Sequence, residues 1–238
     1  MAGIFMLTWD TEALWGFPER RVDRETSIDV GRRFRDVIRR IISILDEFEI
    51  PATFAIVGHL YLESCSCDSR GKHPEMVHPQ HLWHVDWYAN DPCTDRVCDP
   101  GWYAPEIIGM IKDSRVKHEV ASHSFSHCVF GDRGCSRDVA VSEVTRCRSL
   151  ADMNGIALKS FVFPRNSVGH VDVLKEQGFV CYRGPTVGWY SALPFGLARI
   201  GGVLDEFLPT TPRLVVPSVE DGILNIPGSM LIRARNGW

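Results

Sequence analysis

The sequence lacks any apolar run long enough to cross a membrane, and it lacks long stretches of charge of one sign. A transmembrane helix needs about 20 consecutive apolar residues, and the 238 residues contain no such stretch. Lysine and arginine number 26 against 30 aspartates and glutamates, so the formal net charge is −4. Such a balance provides no basic surface for nucleic acid. We therefore expect no membrane span and no nucleic-acid partner.

The start of the chain also lacks an export signal, which would consist of a charged segment and then an apolar segment of about 7–15 residues. Its apolar run at residues 3–9 leads directly into Asp10. We therefore expect a cytoplasmic protein, in which the eight cysteines stay reduced. With 45% apolar and 24% charged residues, the composition is ordinary for a globular protein. We predict a single domain over residues 1–238.

Strand and helix patterns alternate along the chain. Apolar runs typical of buried strands lie at residues 3–9, 52–57, 159–163, 179–182 and 223–226, and the side chains at residues 116–122 alternate as in a short strand. Helical patterns lie at residues 28–48, 105–111, 137–153 and 170–177. This alternation predicts an α/β fold with parallel strands. No Gly-rich phosphate turn follows the first run, which favours a barrel-like sheet over an open doubly wound one.

The segment at about residues 58–104 is too long for a plain connection, so we predict an irregular insertion there. Its section from 65 to 98 is rich in possible metal ligands: Cys65, Cys67, His73, His78, His81, His84, Cys93 and Cys98. A structural zinc site is one interpretation. The cysteine spacing is not that of the usual zinc motifs, however, and we favour free cysteines in an irregular segment.

Two histidines and two carboxylates form the most informative pattern. His123 and His127 stand four apart where a predicted strand enters a loop, and Asp10 and Glu12 end the first predicted strand. In an extended chain, side chains two apart point to the same side, so both carboxylates face one site. Two imidazoles and a carboxylate can hold one divalent metal and leave a position open for water, which indicates metal-assisted hydrolysis. The alternatives are a chance histidine spacing and a helix cap at the acidic pair.

Four motifs of the chain resemble those of the polysaccharide deacetylases, the broad carbohydrate esterase family 4 with its NodB-type homology domain. In chain order they are Thr8-Trp9-Asp10-Thr11-Glu12, Ala52-Thr53-Phe54, His123-Ser124-Phe125-Ser126-His127 and Phe163-Pro164-Arg165-Asn166. The resemblance covers about residues 4–184. It implies a distorted (β/α) barrel of about seven parallel strands and a single catalytic domain. It further implies a bound zinc or similar divalent metal, and removal of N-acetyl groups from amino sugars.

Residue by residue, the resemblance implies that His123, His127 and Glu12 ligate the metal and that Asp10 is the catalytic base. The family's first motif has adjacent aspartates, whereas Thr11 intervenes here, so the roles of Asp10 and Glu12 could be exchanged. It also implies that Arg165 pairs with Asp10 and orients it.

Two further residues are expected to bind substrate. Asn166 could donate or accept a hydrogen bond, with a turn-forming role as its alternative. Trp15 belongs to a set of tryptophans that could stack on sugar rings or pack in the core: Trp9, Trp15, Trp83, Trp87 and Trp102.

One part of the family pattern is missing. Relatives supply a histidine acid from a late strand, but no histidine follows His170. Six predicted strands in place of seven agree with a chain that lacks its last β/α unit. Three functions therefore stay open: an amino-sugar N-deacetylase of polysaccharide or glycolipid precursor metabolism, a metal amidohydrolase of a small non-sugar amide, and a non-catalytic sugar-binding relative.

Overall fold

The computed structural model describes residues 3–65, 67–84, 86–185 and 214–229, together with positions 190, 193–194, 197, 200–201 and 204. No helix within these residues combines the length and the apolar character needed to span a membrane.

Most strands belong to one sheet. In chain order the strands are β1 (Thr8–Thr11), β2 (Thr53–Ile56), β3 (Cys67–Asp68), β4 (Gly71–Lys72), β5 (Glu119–Ser122), β6 (Ser160–Val162), β7 (Cys181–Gly184), β8 (Ser218–Glu220) and β9 (Ile223–Pro227). The seven-stranded sheet has the order β1-β2-β5-β6-β7-β9-β8, and β3 pairs with β4. Neighbours in the sheet are parallel, except that β8 is antiparallel to β9. The predicted α/β class is confirmed, and in the described part of the chain the edge strands β1 and β8 do not pair with each other.

Two strand predictions need correction. The first strand covers only the end of the predicted run, and Ile4, Phe5 and Met6 are exposed. The reason is that pairing with β2 starts where the Thr53 amide donates to the Leu7 carbonyl, so the preceding residues have no partner strand. Strand β8 was not predicted, because its three exposed residues carry no apolar pattern.

Four α-helices accompany the sheet in the described residues. They are α1 (Arg24–Glu47), α2 (Glu106–Lys112), α3 (Arg137–Met153) and α4 (Val171–Glu176). Helix α1 begins four residues before the predicted start, because Asp23 caps it by accepting a hydrogen bond from the Thr26 amide at 2.8 Å. The predicted helix at residues 137–153 agrees with α3.

The two faces of the sheet differ in side-chain size. Phe54 and Val120 belong to the main core that the helices cover. On the other face, Ala55 and Ala121 form a separate small cluster with Val162. Asp10 is in register with Ala55 across β1 and β2, and therefore lies on this second face. The small side chains leave room there for polar groups.

The segment at residues 58–104 connects β2 to α2. It starts with a 3₁₀ turn at Gly58–Tyr61, and its end is held by a 3.1 Å hydrogen bond from the Ala104 amide to the Leu60 carbonyl. It contains the β3–β4 hairpin, which was not predicted. Its aromatic side chains Trp87 and Trp102 are buried in the main core, so this irregular segment is packed like the rest of the fold.

Candidate active site

Three side chains suited to metal binding meet at the carboxyl end of the sheet. Glu12 follows β1, and His123 and His127 follow β5. The Nε2 atoms of His123 and His127 lie 3.1 and 3.4 Å from the same Oε1 atom of Glu12. The three ligand atoms all lie within 4.8 Å of one another. The structure thus brings together the three residues predicted as metal ligands.

The orientation of the two imidazoles fits a metal ion. The Nδ1 atom of His123 donates to the Val162 carbonyl at 2.7 Å, so in the neutral tautomer its Nε2 lone pair faces Glu12. His127 is buried, and both of its ring nitrogens lack a hydrogen-bond partner in the described residues. Buried polar atoms are rarely left unpaired, and a cation bound at Nε2 would satisfy one of them.

The charges of the three side chains are coupled. Burial alone would raise the pKa of the Glu12 carboxyl, but the neighbouring imidazoles of His123 and His127 outweigh burial and hold that pKa well below its usual range. Burial lowers the pKa of His127. For His123 the hydrogen bond and charge of Glu12 overcome burial, so its pKa is raised. An ionised carboxylate beside imidazoles is a suitable environment for a divalent cation.

A buried carboxylate holds the loop that carries both histidines. Glu143 of α3 accepts hydrogen bonds from the amides of Phe125 and Ser126 at 2.8 and 2.9 Å, and from the Ser126 hydroxyl at 2.7 Å. Within this loop Ser124 and His127 have φ values of 58° and 60°. Left-handed backbone costs a non-glycine residue about 1–2 kcal/mol, and the bonds to Glu143 help to offset that cost. This role of Glu143 was not predicted, because in the sequence Glu143 is one polar residue within a helical pattern.

Asp10 is bound by an arginine that was not predicted. Arg183 of β7 donates from Nη1 and Nη2 to the two carboxylate oxygens of Asp10 at 2.6 and 2.7 Å. Nη1 also donates to the Thr8 hydroxyl at 3.0 Å. The predicted strand at residues 179–182 stopped one residue short of Arg183. The signal available in the sequence was that Arg183 directly follows an apolar strand pattern.

The predicted pairing of Arg165 with Asp10 is wrong. Nη2 of Arg165 donates to both carboxylate oxygens of Glu19 at 2.7 and 2.8 Å, and its guanidinium lies 5.1 Å from the ring centroid of Trp83. Arg165 has a φ of 54°, and the left-handed turn after β6 carries its side chain to the rim.

An open cleft of about 410 Å³ lies over this site. Its lining includes Asp10, Glu12, Glu19, His127, Arg165 and Asn166. Asn166 accepts a 3.4 Å hydrogen bond from Nη2 of Arg183. It therefore lies where it could contact a molecule in the cleft, and its substrate-binding role stays a prediction.

Trp15 does not reach the cleft, which corrects its predicted role in substrate binding. Its side chain is fully buried, donates from Nε1 to the Trp102 carbonyl at 3.2 Å, and packs 4.4 Å from the His59 ring. The 3₁₀ turn at Ala13–Gly16 directs it into the core. Trp83, by contrast, is 46% exposed and packs against Arg165, which lines the cleft.

His170 does not replace the missing late histidine. Its Nε2 donates to the Cys135 carbonyl at 2.7 Å, and it precedes α4 at the side of α3. Apart from the candidate metal ligands, the described lining of the cleft contains no imidazole.

Comparisons with known proteins identify a family and a distantly similar solved structure. The sequence profile described as "Polysaccharide deacetylase" matches residues 19–179, a range that contains His123 and His127 and starts after Glu12. A search of curated proteins finds no match. The Streptococcus pyogenes deacetylase PplD, solved in complex with acetate, aligns with 11% identity and a TM-score of 0.44. The alignment covers 77% of this chain and 56% of the PplD chain. This chain therefore spans little more than half of the length of PplD.

Proposed function

Because the chain belongs to the polysaccharide deacetylase family, as its motifs predicted, we propose that it is a metal-dependent amide hydrolase. Its proposed reaction removes an N-acetyl or similar N-acyl group from an amino sugar of polysaccharide or glycolipid precursor metabolism. The observation that carries the proposal is the meeting of Glu12, His123 and His127 beside Asp10 at one cleft. These three residues would hold a divalent ion and would leave a coordination position for water.

Zinc suits this set of two imidazoles and one carboxylate. When bound, the ion would polarise the amide carbonyl and make water more acidic. The unpaired ring nitrogens of buried His127 support its presence.

Asp10 is the proposed base and Glu12 the proposed ligand, because Glu12 contacts both histidines whereas Asp10 is held by Arg183. Asp10 takes a proton from the attacking water, whose oxygen joins the carbonyl carbon. Asp10 then gives this proton to the amide nitrogen of the substrate as the carbon–nitrogen bond breaks, which yields a carboxylic acid and an amine. One carboxyl group then serves both steps, and the chain needs no late histidine.

Arg183 positions this base. The Arg183 guanidinium donates to both carboxylate oxygens of Asp10, and each oxygen keeps a lone pair that can accept the proton from water. The bidentate contact fixes the plane of the carboxylate within the cleft.

The cleft also limits the substrate. Its volume lies in the range of small-molecule sites, which suits one sugar unit with its acyl group. Trp83 provides an exposed aromatic surface at the rim in place of Trp15. A small non-sugar amide would fit the same groups and is the second candidate. The proposed compartment is the cytoplasm, in agreement with eight free cysteines in the described residues.

The test measures bound metal and acetate release from a panel of N-acetylated amino sugars and simple N-acetyl amines. We expect Asp10→Asn to keep the wild-type metal content and to lower kcat by about 10²–10⁴-fold. Glu19→Gln, at another carboxylate of the cleft, is the matched control and should lower kcat less than tenfold. His123→Ala should lose one equivalent of metal.

The panel also decides between the two substrates, since faster turnover of the simple amines would favour the amidohydrolase. A double variant, His123→Ala with His127→Ala, that binds as much metal as the wild type would overturn the site assignment. Equal activity of Asp10→Asn and wild type would overturn the role of Asp10.

A further inference from the structure

A second group of metal-binding side chains lies within the segment at residues 58–104, between β2 and α2. Its members are His59, Cys65, His73 and Asp91, and their ligand atoms all lie within 4.8 Å of one another. The four residues come from separate turns of a segment with little regular structure. Local spacing therefore does not explain why they meet.

Three of the six distances among these atoms match the edges of a tetrahedral site. Nε2 of His59 lies 3.2 Å from Nε2 of His73 and 3.3 Å from Oδ2 of Asp91. Sγ of Cys65 lies 3.7 Å from both Asp91 oxygens. Ligand bonds of about 2.0–2.3 Å in a tetrahedron imply edges of roughly 3.3–3.8 Å. The 2.7 Å contact between His73 and Asp91 is shorter, as expected for a direct hydrogen bond, and the Cys65 sulfur lies within 4.8 Å of the ligand atoms of both histidines.

Surrounding groups orient the two imidazoles and the Asp91 carboxylate toward the same point. Nδ1 of His59 is 3.1 Å from the Trp102 carbonyl, and Nδ1 of His73 is 3.4 Å from a Glu75 carboxylate oxygen. Both imidazoles thus direct Nε2 inward, as metal-binding histidines do when an oxygen holds the other nitrogen. The Cys93 amide donates to Oδ1 of Asp91 at 2.9 Å and leaves Oδ2 toward the histidines.

The buried charge also calls for a cation. The side chains of His59 and Asp91 are fully buried, and that of His73 is 1% exposed. An ionised carboxylate at such a place requires a partner. A bound divalent ion would provide that partner, and it would be held by the deprotonated form of the Cys65 thiol.

We propose that His59, Cys65, His73 and Asp91 bind a second divalent metal ion, in a closed structural site whose sulfur, nitrogen and oxygen donors suit zinc. This site is separate from the one at Glu12, His123 and His127, and it does not depend on the proposed function. Of the residues that the sequence offered for a structural zinc site in this segment, it uses Cys65 and His73.

A metal ion at this site would stabilise the loop that carries His123 and His127. The His59 amide donates to the Phe125 carbonyl at 2.9 Å, and the neighbouring Gly58 amide donates to the Ser124 carbonyl at 2.8 Å. The His59 ring also packs 5.7 Å from the Phe125 ring. A metal ion that fixes His59 therefore ties the segment at residues 58–104 to the loop between His123 and His127.

Cobalt substitution tests the proposal, because only the second site contains sulfur. The metal-free protein is titrated with Co²⁺, and the near-ultraviolet thiolate-to-cobalt charge-transfer band is recorded. We expect two equivalents to bind and the band to appear. Cys65→Ser should lose the band and one equivalent, whereas Cys67→Ser, at an exposed neighbouring cysteine, should keep both. His123→Ala should keep the band while losing the other equivalent.

A measurement on the wild type guards against a Cys65→Ser variant that fails to fold. Alkylation with mass spectrometry should find Cys65 protected by one equivalent of Zn²⁺ per site and Cys67 reactive. The sulfurs of Cys65 and Cys93 are 3.9 Å apart, so a disulfide is the main rival. A Cys65–Cys93 disulfide in freshly purified protein, no charge-transfer band in the wild type, or a band unchanged in Cys65→Ser would each overturn the proposal.

Discussion

The Arg183 guanidinium of β7 binds the Asp10 carboxylate of β1 through two hydrogen bonds of 2.6 and 2.7 Å. Three strands separate β1 from β7 in the sheet. At about 4.8 Å between neighbours, a flat sheet would hold the two backbones roughly 19 Å apart, beyond the combined reach of the side chains. The contact therefore depends on strong curvature of the sheet over its small Ala55 and Ala121 side chains.

We predict that Arg183→Lys lowers kcat by about 10²-fold with metal content unchanged, because a lysine keeps the charge but cannot hold both oxygens of Asp10. Arg165→Lys is the matched control and should lower kcat less than tenfold, since Arg165 pairs with Glu19 at the rim. Steady-state kinetics with metal analysis measures both. The opposite order of the two effects would show that Arg165 supports the base.

Replacing Glu143 should weaken both the fold and the first metal site. In Glu143→Ala the amides of Phe125 and Ser126 lose their buried acceptor, and an unpaired buried group costs about 1–3 kcal/mol. Urea unfolding should show this loss, and metal titration should show weaker binding at His123 and His127. The control is Glu176→Ala, at an exposed ion pair with Arg137, which should change stability by about 0.5 kcal/mol or less. Equal losses in both variants would contradict the loop-holding role.

Gly31 and Gly109 should respond to alanine in opposite directions. A Cβ on Gly31 of α1 would lie 2.5 Å from the carbonyl carbon of Pro100, whereas one on Gly109 of α2 would meet nothing within 4 Å. Alanine gains up to about 1 kcal/mol of helix propensity at each position, but overpacking against rigid backbone costs about 1–3 kcal/mol. We expect Gly31→Ala to lower the free energy of unfolding and Gly109→Ala to raise it. Urea denaturation decides, and stabilisation by Gly31→Ala would refute the close contact.

Asp132 should make stability depend on pH in the acid range. Hydrogen bonds from His81 and from the Gly134 amide lower its pKa to about 2. A depressed carboxyl pKa stabilises the fold above the unfolded-state value of about 3.9, and this stabilisation is lost as the pH falls through about 2. Asp132→Asn should therefore lower Tm by about 2–4 °C at pH 7, and the difference from wild type should shrink below about pH 4.

Thermal scans between pH 7 and pH 3 measure this difference. Asp152→Asn, at an exposed carboxylate of α3, serves as the control for loss of a charge. A difference between wild type and Asp132→Asn that grows as the pH falls would contradict the depressed pKa of Asp132.

Local patterns predicted much of the fold. The helix at residues 137–153 agrees with α3, and the six predicted strands correspond to six strands of the sheet. These elements were accessible because periodicity and capping depend on residues close in the chain. The β8 strand and the start of β1 could not be predicted in this way, because strand pairing depends on partners far along the sequence.

The sequence by itself determined the family and the candidate metal ligands, since the histidine spacing and the acidic pair are local features of His123, His127 and Glu12. Only the tertiary structure decided which arginine holds Asp10, because sheet curvature brings Arg183 to it across 173 positions of the chain. It also decided that Trp15 is core and that His59, Cys65, His73 and Asp91 meet. Side-chain direction and contacts between distant segments arise from packing, which no spacing along the chain encodes.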